Sequence, residues 1–116
     1  MKKKILIVNA NYYKDISAGL LSSTLKSISR LSKIKIINVP GVFEIPVTIS
    51  KNLNKFDGFI ALGCVIKGQT PHFDFISQAS TQAIMNLSIE SKKPIGNGII
   101  TCFNMKQAKA RKKKRC

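Results

Sequence analysis

Apolar residues in this chain fall into short continuous runs separated by stretches with helical spacing, and the two kinds of segment alternate from end to end. Ile5-Leu6-Ile7-Val8 is uninterrupted and apolar, as a parallel strand covered on both faces requires, and it ends at the polar Asn9-Ala10-Asn11. From Ile16 to Leu31, apolar positions recur at Leu20, Leu21, Leu25, Ile28 and Leu31, which is helical spacing with a Ser- and Lys-rich opposite face. Ile34, Ile36, Ile37 and Val39 make a second strand, stopped by Pro40-Gly41. Phe43 to Leu53 reads as a helix with Pro46 in its first turn, where a missing N–H costs nothing. Gly58 to Ile66 is a third apolar strand, His72 to Lys92 a long helix, Ile95 to Cys102 a fourth strand, and Asn104 opens another helix.

Strands alternating with helices predict a four-stranded parallel sheet with right-handed crossovers and helices on both faces, an α/β three-layer sandwich. Ligands of such folds gather at the carboxyl ends of the strands. That rule selects Asn9 to Lys14, Pro40 to Glu44, Lys67 to His72 and Cys102 to Met105 before any motif is considered.

Composition narrows the class. With 116 residues, 44% of them hydrophobic, the expectation is one domain over residues 1–116. No stretch approaches the roughly 20 apolar residues that span a bilayer, and the basic start leads into a strand-like run instead of a signal-peptide core. A cytoplasmic protein without membrane association is expected. Cys64, Cys102 and Cys116 are widely spaced and lack any CxxC pair or histidine cluster, so they read as free thiols and no metal is called for.

The net charge of +15 raises nucleic acid as a partner, because clustered Lys and Arg neutralise phosphates whatever the base sequence. Seven of the twenty basic residues, however, are crowded between Lys106 and Arg115. No aromatic RNA-binding motif, zinc-ligand spacing or recognition-helix signature accompanies them, and no specific nucleic acid is expected.

Two segments carry chemistry. Lys67-Gly68-Gln69-Thr70-Pro71-His72 joins strand three to the next helix and holds the chain's one histidine. Backbone N–H groups at a helix start favour an anion such as phosphate, Thr70 adds a hydroxyl, and His72 has a side chain suited to moving protons near neutrality. Alone, the segment reads equally as a surface loop with an N-capping threonine and an incidental histidine. Val39-Pro40-Gly41-Val42-Phe43-Glu44-Ile45-Pro46 brings an aromatic ring, a carboxylate and backbone groups to the end of strand two, a set that can grip a flat heteroaromatic substrate. Alone, it is also a Pro-Gly turn followed by a helix-start glutamate.

Taken together, VPGVFEIP and GCVIKGQTPHFD, followed by PIGNGIIT and QAKAR, resemble the lumazine synthase family along almost the whole chain, from strand one to Arg111. The resemblance implies a flavodoxin-like fold and an enzyme of riboflavin biosynthesis. That enzyme is a transferase that joins 5-amino-6-(D-ribitylamino)uracil to 3,4-dihydroxy-2-butanone 4-phosphate, giving 6,7-dimethyl-8-ribityllumazine, phosphate and water without a cofactor. It implies His72 as the proton-transfer residue and Gln69 and Thr70 as the grip on the butanone phosphate. Tyr12 would lie against the pyrimidine, and Val42, Phe43 and Glu44 would bind the ribityl-uracil side. Cys64, Val65 and Ile66 would line the adjoining strand end. Asn97 and Arg111 would come from a neighbouring subunit of a homopentamer or larger shell with active sites between subunits.

Members of the family continue past the position of Arg111 through a glycine-rich segment with a lysine and a final amphipathic helix, whereas this sequence reads Lys112-Lys113-Lys114-Arg115-Cys116. The expectation is therefore a fold with its last helix missing, residues 112–116 forming a basic tail, and an enzyme impaired by the short end. Lys67 stands where the family usually carries arginine, and Tyr12 where phenylalanine is commoner. The alternatives are a relative of the archaeal-type riboflavin synthase, which shares fold and pentameric habit, an inactive shortened paralogue, and a basic nucleic-acid-binding protein.

Overall fold

A computed structural model describes residues 3–28, 32–67, 72–102 and 104–111, with only the backbone considered at 72–74, 105 and 111. Its elements are β1 (Lys4–Ala10), α1 (Lys14–Ser27), β2 (Lys33–Val39), a 3-10 turn (Val42–Glu44), α2 (Ile45–Lys51), β3 (Gly58–Ile66), α3 (His72–Ser91), β4 (Ile95–Cys102) and α4 (Met105–Arg111). The strands pair in parallel in the order β2-β1-β3-β4, an α/β three-layer arrangement. Register runs Ala10 opposite Val39, Asn9 opposite Leu62 and Cys64 opposite Ile100.

This order sorts the helices. The connection from β1 to β2 runs one way along the sheet, and those from β2 to β3 and from β3 to β4 run the other way. Right-handed crossovers therefore put α1 on one face and α2 with α3 on the opposite face. Packing agrees: Leu6, Val8, Ala10, Phe59 and Ala61 meet Val42, Ile45, Ile49, Ile76 and Ile84 in one cluster. A smaller cluster joins Ile16 and Leu20 of α1 and Ala108 of α4 to Cys64, Ile100 and Cys102 on the other face. Continuous apolar runs follow directly, because alternate residues of β3 enter different clusters and β1 is buried from Leu6 to Ala10, so neither face of these strands meets water.

The bounds of β3 and β4 match the sequence reading, whereas the helix bounds differ at several ends. α1 stops at Ser27, with Ile28 extended (ψ 142°) and its N–H donating to the Thr24 carbonyl. Thr24 and Ser27 hydroxyls donate to the carbonyls of Leu20 and Ser23, the back-bonding that weakens a helix, so the apolar spacing runs on past the point where the backbone leaves it. The segment expected as one helix from Phe43 splits into the 3-10 turn and α2, with Pro46 at the start of α2. α3 ends at Ser91, one residue early, where Lys92 takes a left-handed conformation (φ 59°).

Candidate active site at the carboxyl ends of the strands

β1 sits where the chain reverses direction across the sheet, so the connections leaving β1 and β3 depart to opposite faces and open a crevice between them. Residues 11–13 after β1, the Val42–Glu44 turn after β2 and Lys67 after β3 all lie at this end.

A missing side chain holds the arrangement together. A Cβ on Gly63, in the middle of β3, would stand 2.7 Å from Val42 Cγ2 and 3.2 Å from Ala10 Cβ. Glycine there lets Val42 drop onto the sheet, where it is 6% exposed. That seat anchors the turn, so the next two residues stay at the rim: Phe43 projects into solvent at 59% exposure, and the Glu44 carboxylate folds back over Gly41. Glu44 N–H donates to the Gly41 carbonyl (3.2 Å), and the Thr48 hydroxyl donates to the Glu44 carbonyl (2.9 Å).

Tyr12 lies on the connection after β1, 74% exposed. The connection is tied at both ends: Asn11 N–H donates to the Val39 carbonyl (2.9 Å) and the buried Ser17 hydroxyl to the Ala10 carbonyl (2.7 Å). Beside it, the Tyr13 ring meets the Tyr12 ring edge to face, with centroids 4.9 Å apart and planes at 83°. Burial pushes the Tyr13 hydroxyl above its ordinary pKa, and the ionised forms of Tyr12 and Cys64 push it the same way. Sequence reasoning passed over Tyr13. The available signal was the doublet itself, since two adjacent aromatics leaving a strand rarely face the same environment.

Cys64, Val65 and Ile66 end β3 as expected, but they diverge. Val65 packs toward the α2 and α3 face, while Cys64 and Ile66 pack toward α1 and α4. With its thiol in the core, what Cys64 offers at the strand end is backbone. Cys64 and Cys102 are both buried and outside any disulfide. Asn9, expected to end strand one, is instead a buried residue of β1 whose amide donates to Asn38 Oδ1 (3.1 Å).

His72 is the first residue of α3, so its backbone stands at the same end of the sheet; Gln69 and Thr70 lie outside the described residues, as does Cys116. The fold brings Tyr12, Val42, Phe43, Glu44, the end of β3 and the start of α3 to one crevice. It keeps two expected residues away from it. Asn97 is the third residue of β4, opposite Ala61 and about 17 Å below the strand's carboxyl end at a rise of about 3.3 Å per residue. Its side-chain oxygen accepts the N–H of Ile99 (2.9 Å) at the free edge of the sheet. Arg111 closes α4, whose seven residues carry the backbone about 10 Å from Asn104, the capping residue that accepts the Gln107 N–H (2.9 Å).

A groove of about 310 Å³ between α1 and the lower parts of β3 and β4 is lined by Leu20, Ser23, Thr24, Ser27, Ile28, Ile60, Leu62 and Gly96 to Gly98. It holds no titratable side chain and lies away from the strand ends.

Known proteins resemble this chain along nearly its whole length. The family model of 6,7-dimethyl-8-ribityllumazine synthase matches residues 2–115. A 6,7-dimethyl-8-ribityllumazine synthase of Agrobacterium fabrum is 41% identical over 95% of this chain and 80% of its own length. Those of Bartonella tribocorum and Bartonella henselae are 40% and 43% identical, each over 97% of this chain and over 79% and 76% of their own lengths. The strand-end crevice and these matches, which extend from the first strand to the last helix, lead to one conclusion: the chain belongs to the 6,7-dimethyl-8-ribityllumazine synthase family.

Proposed function

We propose that this protein condenses 5-amino-6-(D-ribitylamino)uracil with 3,4-dihydroxy-2-butanone 4-phosphate to form 6,7-dimethyl-8-ribityllumazine, as a transferase of riboflavin biosynthesis acting in the cytoplasm. The observation that carries the reading is the crevice, in which an exposed aromatic, a rim carboxylate and the start of the histidine-bearing helix meet at the ends of three adjacent strands.

The uracil amine attacks the ketone carbonyl, and loss of water leaves an imine. Loss of the proton beside the imine carbon then expels phosphate and leaves an enol. The enol tautomerises to the second carbonyl and a methyl group, and attack of the ribityl-bearing nitrogen on that carbonyl closes the ring with loss of water. Each step moves protons between partners that must be correctly oriented, and orientation supplies much of the acceleration. Tyr12 lies against the pyrimidine, Phe43 and Glu44 hold its ribityl-uracil edge with the Val42 backbone, and the ends of Cys64, Val65 and Ile66 line the floor. Gln69 and Thr70 hold the phosphate, and His72 transfers protons.

Asn97 and Arg111 act on a neighbour's site. Support comes from their distance to the crevice of their own chain and from an exposed apolar stripe that fits association. Phe75, Met85 and Ile89 lie outward on α3 with Gln78 and Gln82 at alternating spacings of three and four, beside exposed Phe43 and Val47. A homopentamer, or a shell of pentamers, is the assembly that follows. No described helix is long and apolar enough to cross a membrane.

Genetic complementation tests the reading. Expression of this chain in a bacterium lacking its own lumazine synthase should restore growth without riboflavin. Soluble, abundant protein with no growth would contradict it.

A further inference from the structure

An aromatic ring that is 74% exposed has many orientations open to it, and a stacking platform works only if it is held in one. The backbone beneath Tyr12 is fixed by the bonds at Asn11 and Ser17, yet those bonds leave the side-chain torsions free. The ring contact that restrains them is the edge-to-face pair with Tyr13. Tyr13 is itself held, since it packs against the cluster that joins Ile16 of α1, Cys64 of β3 and Ala108 of α4. Tyr13 and Ile16 also line an open cleft with Lys109 of α4.

We propose that Tyr13 is a positioning residue for the reaction: its ring fixes the Tyr12 ring in the orientation that stacks on the pyrimidine, and so ties affinity for that substrate to the docking of α1 and α4. This rests on the functional reading above. The Tyr13 side chain need not touch substrate, and its hydroxyl is dispensable, because the contact is made by the ring.

The effect has a definite size and direction. An edge-to-face pair is worth about a 2- to 12-fold change in affinity. Replacing Tyr13 by Leu or Met, which keep apolar volume in the cluster but lose the ring edge, should raise the KM for 5-amino-6-(D-ribitylamino)uracil by that factor. The KM for the butanone phosphate and kcat should stay within about twofold. Tyr13→Phe should behave as wild type.

Tyr12 and Tyr13 are the chain's two tyrosines and it has no tryptophan, so tyrosine circular dichroism in the near ultraviolet reports this pair alone. That signal should change when wild-type protein binds the pyrimidine, and should be weak before and after addition in the Leu and Met variants. In a Tyr12→Ala background, Tyr13→Leu should add nothing to the pyrimidine KM. An unchanged pyrimidine KM in folded Tyr13→Leu or Tyr13→Met would overturn the proposal, as would a full rise in the Tyr12→Ala background. Wild-type protein that binds the pyrimidine while the variants match it removes this proposal alone; wild-type protein that neither binds nor converts it removes the functional reading as well.

Discussion

The two ends of the sheet are built from the same strands and put to opposite uses. At the amino end, several polar groups close the chain on itself. Lys4 N–H donates to Asp57 Oδ2 (2.8 Å), Asp57 N–H to the Lys4 carbonyl (2.8 Å), and Lys33 N–H to the Lys3 carbonyl (2.8 Å). Lys93 Nζ reaches across to the carbonyls of Leu53 and Phe56, which end the turn between α2 and β3. At the carboxyl end, Tyr12 and Phe43 stand in solvent, Glu44 lies on the rim, and α3 begins with the chain's one histidine. One end is made of satisfied contacts, and the other is held in place by contacts buried beneath it. Substitutions at the two ends should therefore fail differently.

The largest effect is expected at His72. His72→Ala should lower kcat by about 10²–10⁴, the usual range for removing a general acid or base, with little change in thermal midpoint. Steady-state rates corrected for the uncatalysed condensation would check this, and equal corrected rates would break the contrast between the ends.

Gly63→Ala should cost both stability and activity. Its Cβ, 2.7 Å from Val42 Cγ2, must push the 3-10 turn off the sheet, at about 1–3 kcal/mol for overpacking, and Phe43 and Glu44 move with the turn. Gly96→Ala is the control, because the nearest atom to its Cβ is 3.8 Å away. Urea denaturation of the two variants should separate them clearly.

Lys93→Met should do the reverse of His72→Ala. Removing the ammonium leaves the carbonyls of Leu53 and Phe56 without that donor, which costs about 1–3 kcal/mol, while kcat and both KM values should hold. A fall in kcat from a folded Lys93→Met would show that the ends are coupled.

The smallest effect concerns pH. The folded pKa of Tyr13 is raised, so the folded state binds its proton more tightly than the unfolded chain does. The associated stability is fully present below the unfolded value of about 10 and is lost as pH rises from there through the folded value. Tyr13→Phe should flatten that alkaline loss and leave stability at pH 7 unaffected by ionisation, as denaturation midpoints between neutral and strongly alkaline pH would reveal.

Much of this was legible in the sequence, for physical reasons that differ by element. β3 was readable to the residue because a strand buried on both faces must be apolar throughout, whereas β4, an edge strand exposed over much of its length, was readable from its isoleucines and the Pro94 before it. The edge strand β2 was readable only from its isoleucines, of which Ile34 and Ile36 prove more than a third exposed. Helix ends were harder: the spacing of Leu25 and Ile28 promised a continuing helix, and only the serine and threonine back-bonds hint that it would stop. Tyr12, Phe43 and Glu44 were legible as strand-end residues. Gly63 and Tyr13 were not, because each matters through what it touches across elements: Val42 in one case, Tyr12 and α4 in the other. Periodicity carries no record of such contacts.

Product formation by the purified protein tests the central claim most directly. With both substrates supplied, lumazine and inorganic phosphate should appear in equal amounts, faster than in the protein-free mixture. The excess should be lost in His72→Ala and retained in Lys93→Met. A folded protein that gives no rate above the spontaneous condensation, or an excess indifferent to His72, would contradict the assignment of the chemistry to the carboxyl end of this sheet.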